Sequence, residues 1–175
     1  ATEDPLTACL NRRSFFESVE TLWGTSIQNG QPLSCVMADI DFFKSINDRF
    51  GHSMGDEVLR TFAATLKGAA RETDLVCRYG GEEFCVLMPD TDIHAAEQAA
   101  ERLRSAIAEL KLPQLSVTAS FGVSSRSLLA GNPQELLDQA DKCLYVAKQN
   151  GRNCVIRFDR VPSDVVAKSS KPSQV

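Results

Sequence analysis

The 175-residue chain has one tryptophan, two tyrosines and two histidines, and no Cys-x-x-Cys pair. Its six cysteines stand singly, at Cys9, Cys35, Cys77, Cys85, Cys143 and Cys154, away from the histidines. That scatter argues against a zinc site. No apolar run approaches the roughly 18 residues of a membrane helix, and no charged region followed by an apolar one opens the chain. Positive charge is not in excess either, since 19 Lys and Arg against 23 Asp and Glu leave a net charge of −4. A general polyanion binder held by a basic surface, such as a DNA- or RNA-binding protein, does not fit that balance. Phosphate chemistry, if present, must rest on a few placed groups or on metal.

The chain does have a globular composition, 43% hydrophobic and 24% charged, unlike disordered, collagen-like or coiled-coil sequences. Its length suits one domain. With so much apolar material available, the cysteines are expected to be reduced, buried small hydrophobes of a cytoplasmic protein. A start at Ala1 instead of Met leads us to expect a piece of a longer chain.

Phe15, Phe16, Val19, Leu22, Trp23 and Ile27 follow helical spacing over residues 11–28, and Asn29-Gly30 supplies a stop. LSCVMADI, Leu33–Ile40, is apolar on both parities like a strand covered on both faces, yet it carries Asp39 near its end. A short FFKSINDRFGHS segment leads into a helix over 54–70. Apolar runs 75–79 and 83–88 flank Gly80-Gly81, and predict a hairpin whose glycines accept positive φ. A helix over 93–110 and a strand over 116–123 follow. Asn132, Pro133 and Glu135 announce a helix running to Gln149, and 155–158 reads as a last strand. We expect residues 1–160 to form the domain and 161–175, rich in Ser, Lys and Pro, to be a disordered tail. A hairpin among alternating helices and strands predicts an α+β sandwich with a central mixed sheet and flanking helices.

Asp39, Glu82 and Glu83 stand where a purely structural protein avoids carboxylates, because burying one unpaired is costly. If the hairpin lies beside the Asp39 strand they converge, and oxygen ligands without Cys or His favour Mg²⁺ or Mn²⁺. The competing reading is a solvated acidic turn. Asp56 could accept a pair of N–H donors while Asn47 bonds another atom of the same ligand, or both could simply cap a helix. His52 taken alone reads as a loop histidine. Lys148 and Arg152 suit phosphate, or merely the negative end of a helix. Arg71 could fork onto an anionic ligand with Asp74 accepting from the same ligand, or the two could merely pair with each other.

RYGGEEF, together with DPLTACLNRR (4–13), DIDFFKSIND (39–48), FGHSMGDEVL (50–59), SFGV (120–123) and ADKCLYVAKQNGRN (140–153), resembles the GGDEF family of diguanylate cyclases. The motifs stand in family order and at family spacing. The resemblance implies a ferredoxin-like, nucleotidyl-cyclase-like sandwich with GGEEF on the hairpin. It implies condensation of two GTP into cyclic di-GMP and two pyrophosphates, at a site formed between the two domains of a homodimer. It implies Mg²⁺ or Mn²⁺, two per GTP, held by Asp39, the Ile40 carbonyl, Glu82 and Glu83. Glu82 is also the family's proposed general base, with Lys44 as a second catalytic group. Substrate contacts carry over to Phe42, Phe43, Lys44, Asn47, His52, Asp56, Gly80, Gly81, Lys148 and Arg152. Arg71 and Asp74, with Arg102 by position, match the family's inhibitory site for its own product. GGEEF in place of GGDEF, and Ala8-Cys9 where Gly and Leu are usual, are the departures. A sensory or membrane domain is expected before Asp4, so the whole protein could be membrane-anchored. The rivals are a catalytically inactive receptor for GTP or cyclic di-GMP, and a ferredoxin-like metal-binding domain without nucleotide. The latter leaves Asn47, Asp56, Arg71/Asp74 and Lys148/Arg152 unexplained together.

Overall fold

A computed structural model describes residues 1–168. Its elements in chain order are α1 (Arg12–Asn29), β1 (Leu33–Ile40), α2 (Phe43–Phe50), α3 (His52–Ala69), β2 (Leu75–Arg78), β3 (Glu83–Pro89), α4 (Ile93–Ala108), β4 (Ala119–Ser125), α5 (Pro133–Gln149), β5 (Val155–Arg157) and α6 (Ser163–Lys168). Local chemistry sets most boundaries. The Asn11 and Asn132 side chains cap α1 and α5 by accepting from Ser14 and Glu135 N–H groups, and Gly30 closes α1 at φ 66°.

The five strands form a mixed sheet in the order β2-β3-β1-β4-β5, antiparallel except for the β4–β5 pair. Every residue of the central β1 is buried, as its unbroken apolar run requires. Val36, Ala38, Ile40, Phe84 and Val86 pack with α2, α3 and α4 on one face, around Phe43, Ile46, Phe62, Leu66 and Ala100. Cys35, Met37, Cys85 and Leu87 pack with α1 and α5 on the other, around Phe15, Val19, Leu136 and Leu144. The α+β sandwich and its mixed sheet are as the sequence predicts.

Five local expectations are corrected. FFKSINDRF is a helix, α2, entered through Phe42 at φ 57° without a side-chain cap, so no capping signal marks it. The following helix begins at His52, not residue 54, which puts Asn47 and Asp56 inside helices and ends their reading as caps. Glycines in the left-handed region include Gly30, Gly51 and Gly151, but Gly81 is not among them. The hairpin instead closes by Tyr79 and Gly80 N–H groups both donating to the Glu83 carbonyl, at 2.8 and 3.0 Å. The strand placed at 116–123 runs Ala119–Ser125. In the segment expected to be a tail, Ser163–Lys168 is helical, and residues 169–175 lie outside the described residues. All six cysteines are free thiols, five of them buried. Burial pushes the Cys77 and Cys143 thiols up to about 12, which suits inert core residues. No described helix is long and apolar enough to cross a membrane.

Candidate active site

The antiparallel register sets Asp39 directly opposite Glu83, and the Ile40 N–H reaches the Glu82 carbonyl at 3.3 Å. Directly opposed residues share a sheet face, so Asp39 and Glu83, both buried, stand together on the α5 side. Burial pushes the Asp39 carboxyl up to about 6; the Lys148 ammonium pulls it back, and the nearby Glu82 and Asp41 charges push the same way as burial. Lys148 Nζ donates to Asp39 Oδ2 at 2.7 Å. Lys148 therefore stands on a candidate metal ligand, where the sequence places it on phosphate.

The SFGV motif explains how α5 brings Lys148 there. A Cβ on Gly122 would stand 2.1 Å from the Ala140 carbonyl oxygen and 2.3 Å from the Leu144 nitrogen, so only glycine admits the α5 backbone this close to β4.

Among the described residues no three His, Cys, Asp or Glu side chains form a ready metal cage. Asp39 with Glu82 nearby still fits Mg²⁺ or Mn²⁺, which take one or two carboxylates and complete their shell with water and phosphate. The observation behind that fit is a buried carboxylate with an ammonium already drawn onto it at 2.7 Å.

Asp41 was not picked out from sequence, yet it organises the rim. It is buried, and accepts from Thr118 Oγ1 and Ser120 Oγ, both at 2.7 Å, and from the Asn153 N–H at 3.0 Å. This pins the turn after α5, where Arg152 and Asn153 lie at φ 67° and 46°. Arg152 Cζ then sits 4.5 Å from the ring centroid of Phe42, an exposed aromatic on left-handed backbone. Strain of that kind costs about 1–3 kcal/mol and concentrates at functional sites. The DID spacing was the available signal for Asp41.

Arg78 and Asp4 were missed as well. Arg78 Nε and Nη2 donate to the Gly81 carbonyl at 3.1 and 2.8 Å, and its Nη1 donates to Asp4 at 3.1 and 3.2 Å. The Thr7 hydroxyl and N–H also reach Asp4. Burial raises the Asp4 carboxyl, but these hydrogen bonds and the Arg78 charge outweigh it and hold it below the usual range. The chain before α1 is thereby tied to the GGEEF turn.

Beyond the carboxyl end of β1, Lys44 and His52 are exposed on the first turns of α2 and α3, and Asp56 is half-buried on α3. Asn47 is half-buried on α2, and its Oδ1 is sealed from solvent without a hydrogen-bond partner. A buried acceptor left so costs about 1–3 kcal/mol. Carboxylates, a cationic rim and this unpaired amide oxygen thus gather at one end of one strand.

Residues 1–154 match the family model described as "Diguanylate cyclase, GGDEF domain". The chain belongs to the GGDEF family. It is 44% identical over 162 residues to the response regulator PleD of Caulobacter vibrioides, covering 89% of this chain and 36% of that protein. It is 43% identical over 135 residues to diguanylate cyclase A of Treponema denticola, covering 75% and 36% of the two. The chain thus spans little more than a third of these relatives' length. Among solved structures, the active GGEEF domain of a diguanylate cyclase from Vibrio cholerae superposes with a TM-score of 0.82 at 34% identity, covering 87% of this chain and 99% of that one. The GGDEF domain of DgcB from Caulobacter crescentus, solved with c-di-GMP, gives 0.85 at 29% identity, with 90% and 93% covered.

This GGDEF domain also gathers Arg71, Asp74 and Arg102, which line one cleft of roughly 210 Å³ together with Thr91 and Asp90. Arg71 is already engaged: Nη2 donates to Asp74 Oδ1 at 2.9 Å, to the Pro89 carbonyl at 2.7 Å and to Thr91 Oγ1 at 2.6 Å. The Asp74 hydrogen bond, outweighing burial, raises the guanidinium pKa. The bland ion pair weighed from sequence does form, and it does so at the wall of a cleft.

Proposed function

We propose that this domain is a diguanylate cyclase half-site: it binds one GTP, and two such domains facing each other join two GTP into cyclic di-GMP and two pyrophosphates. The observation that carries the reading is the opposition of Asp39 and Glu83 at the strand end, with Lys148 on Asp39. It agrees with the relatives named as diguanylate cyclases.

Each 3′-hydroxyl attacks the α-phosphorus of the other nucleotide; a P–O bond forms, the bond to the β-phosphate oxygen breaks, and the hydroxyl proton leaves to a base. Mg²⁺ or Mn²⁺, two per GTP and held by Asp39, the Ile40 carbonyl, Glu82 and Glu83, would neutralise triphosphate charge and polarise the attacked phosphorus. Lys148, released from Asp39, and Lys44 and Arg152 carry the cationic side chains for phosphate oxygens, the planar guanidinium in bidentate fashion. Amides around Phe42 and Phe43, and at Gly81, add donors; Gly81 has open space where a Cβ would otherwise stand, and Gly80, its own N–H held by the Glu83 carbonyl, shapes the turn beside the phosphates. Asn47 and Asp56 read the guanine, His52 lines its approach, and Glu82 accepts the hydroxyl proton. Product returns to the Arg71, Asp74 and Arg102 cleft and slows the enzyme. The domain works in the cytoplasm, where its substrate is.

The test is incubation of the purified domain with GTP and Mg²⁺ across a range of protein concentrations, with chromatography for cyclic dinucleotide and pyrophosphate. The expected result is product whose rate per domain rises with concentration, because the site needs two copies. GTP bound but left intact at high concentration overturns the reading in favour of a receptor.

A further inference from the structure

We propose that Gly55 positions the base-reading amide: the bare face of its Cα is the seat that holds the Asn47 side chain in place. The inference rests on the reading above, in which Asn47 meets the guanine.

Asn47 lies on α2 and Gly55 on α3. A Cβ built on Gly55 would stand 1.8 Å from Asn47 Oδ1 and 2.9 Å from its Cγ, with Phe43 Cζ next at 3.3 Å. The amide thus fills the volume that any side chain at position 55 would claim. The backbone gives no other reason for glycine, since Gly55 is helical with no positive φ, and glycine is the poorest helix former after proline. Nor does the contact serve stability, because the Asn47 oxygen lodged there is buried without a partner. An arrangement unfavourable to the helix and to that oxygen alike is explained by what the amide meets when GTP is bound. Asp56, the other group assigned to the base, is the next residue in the chain.

The atom in the way is the end of a side chain, not backbone. Alanine at position 55 therefore leaves the fold intact and turns Asn47 aside about its own χ angles. Gly55 is accordingly a positioning residue for base recognition, acting through Asn47.

Binding of 3′-deoxy-GTP, which lacks the attacking hydroxyl and cannot turn over, is measured by calorimetry with Mg²⁺ for wild type, Gly55→Ala, Asn47→Ala and the double variant. Thermal unfolding is followed in parallel. The expected result is cooperative unfolding for all four proteins and about tenfold weaker binding for each single variant, with the double variant no weaker than Asn47→Ala. A Gly55→Ala that binds like wild type while Asn47→Ala is weakened overturns the proposal. So does a Gly55→Ala that fails to fold while the double variant folds, since glycine would then serve packing. If Asn47→Ala itself binds like wild type, the placing of the base fails, and with it the proposal; that outcome is recognised because Gly55 is intact.

Discussion

Asp39 is the residue at which stability and the proposed metal-holding role oppose one another. Its carboxyl, raised by burial to about 6, binds a proton more tightly in the folded protein than in the unfolded chain, so ionising it costs stability. For a carboxylate raised in this way, the metal-free domain loses stability as pH rises from about 4 to about 6, and the loss persists at pH 7. Asp39→Asn should therefore stabilise the metal-free domain at pH 7, by up to about 3 kcal/mol, while removing its response to Mg²⁺ and GTP. Urea denaturation of both proteins at pH 4.5 and 7 checks this: the difference between them should shrink at the lower pH. A variant less stable than wild type at pH 7 would show that the Lys148 ion pair outweighs the burial of Asp39. Asp41, one residue beyond Ile40, presents the contrast, because three donors satisfy it and leave it as a clamp.

At the scale of elements, two joints place the site. The first is α5 on β4, where Gly122 meets helix backbone at 2.1 and 2.3 Å from its would-be Cβ. Unlike a side-chain end, backbone cannot turn aside, so Gly122→Ala should cost about 1–3 kcal/mol, read as a lower urea midpoint, and should separate Lys148 from Asp39. The second is the Arg78 bridge between Asp4 and the Gly81 carbonyl. Arg78→Ala leaves the half-buried Asp4 carboxylate without its cation and the turn without its brace. The expected loss is about 2–3 kcal/mol, together with a fall in cyclase rate that Arg78→Lys only partly restores, because an ammonium lacks the fork. Equal rates for Arg78→Ala and wild type would dissociate the leading segment from the turn.

On the proposed reading the domain is half of an active site, and the Arg71, Asp74 and Arg102 cleft is a separate site for its product. Arg71→Ala should leave the initial rate intact and relieve late inhibition, seen as progress curves that stay linear further into the reaction; unchanged curvature would discount the cleft as an inhibitory site. On the proposed reading the net negative charge has a local meaning, since the carboxylates at the end of β1 and at the hairpin would recruit the cations through which an acidic protein meets a triphosphate.

Helices α1, α4 and α5 and strand β1 were legible because their periodicity, caps and apolar runs are local, and Asn132-Pro133 announces α5 within two residues. Asp39, Glu82 and Glu83 were legible as anomalies of burial. Helix α2 was not, being eight residues long and entered through a strained Phe42 with no cap. Nor were the partners of Arg78 and Asp41, because Asp4 lies 74 residues from Arg78, and Thr118, Ser120 and Asn153 lie 77 to 112 residues from Asp41. The amino-acid order by itself determined which segments become helix or strand and which carboxylates needed explaining, since both follow from side-chain chemistry and local spacing. Only the tertiary structure decided that Lys148 rests on Asp39 and that Asn47 lodges against Gly55. Those contacts arise from where helices cross and how closely glycine lets them approach, and no local pattern encodes that distance.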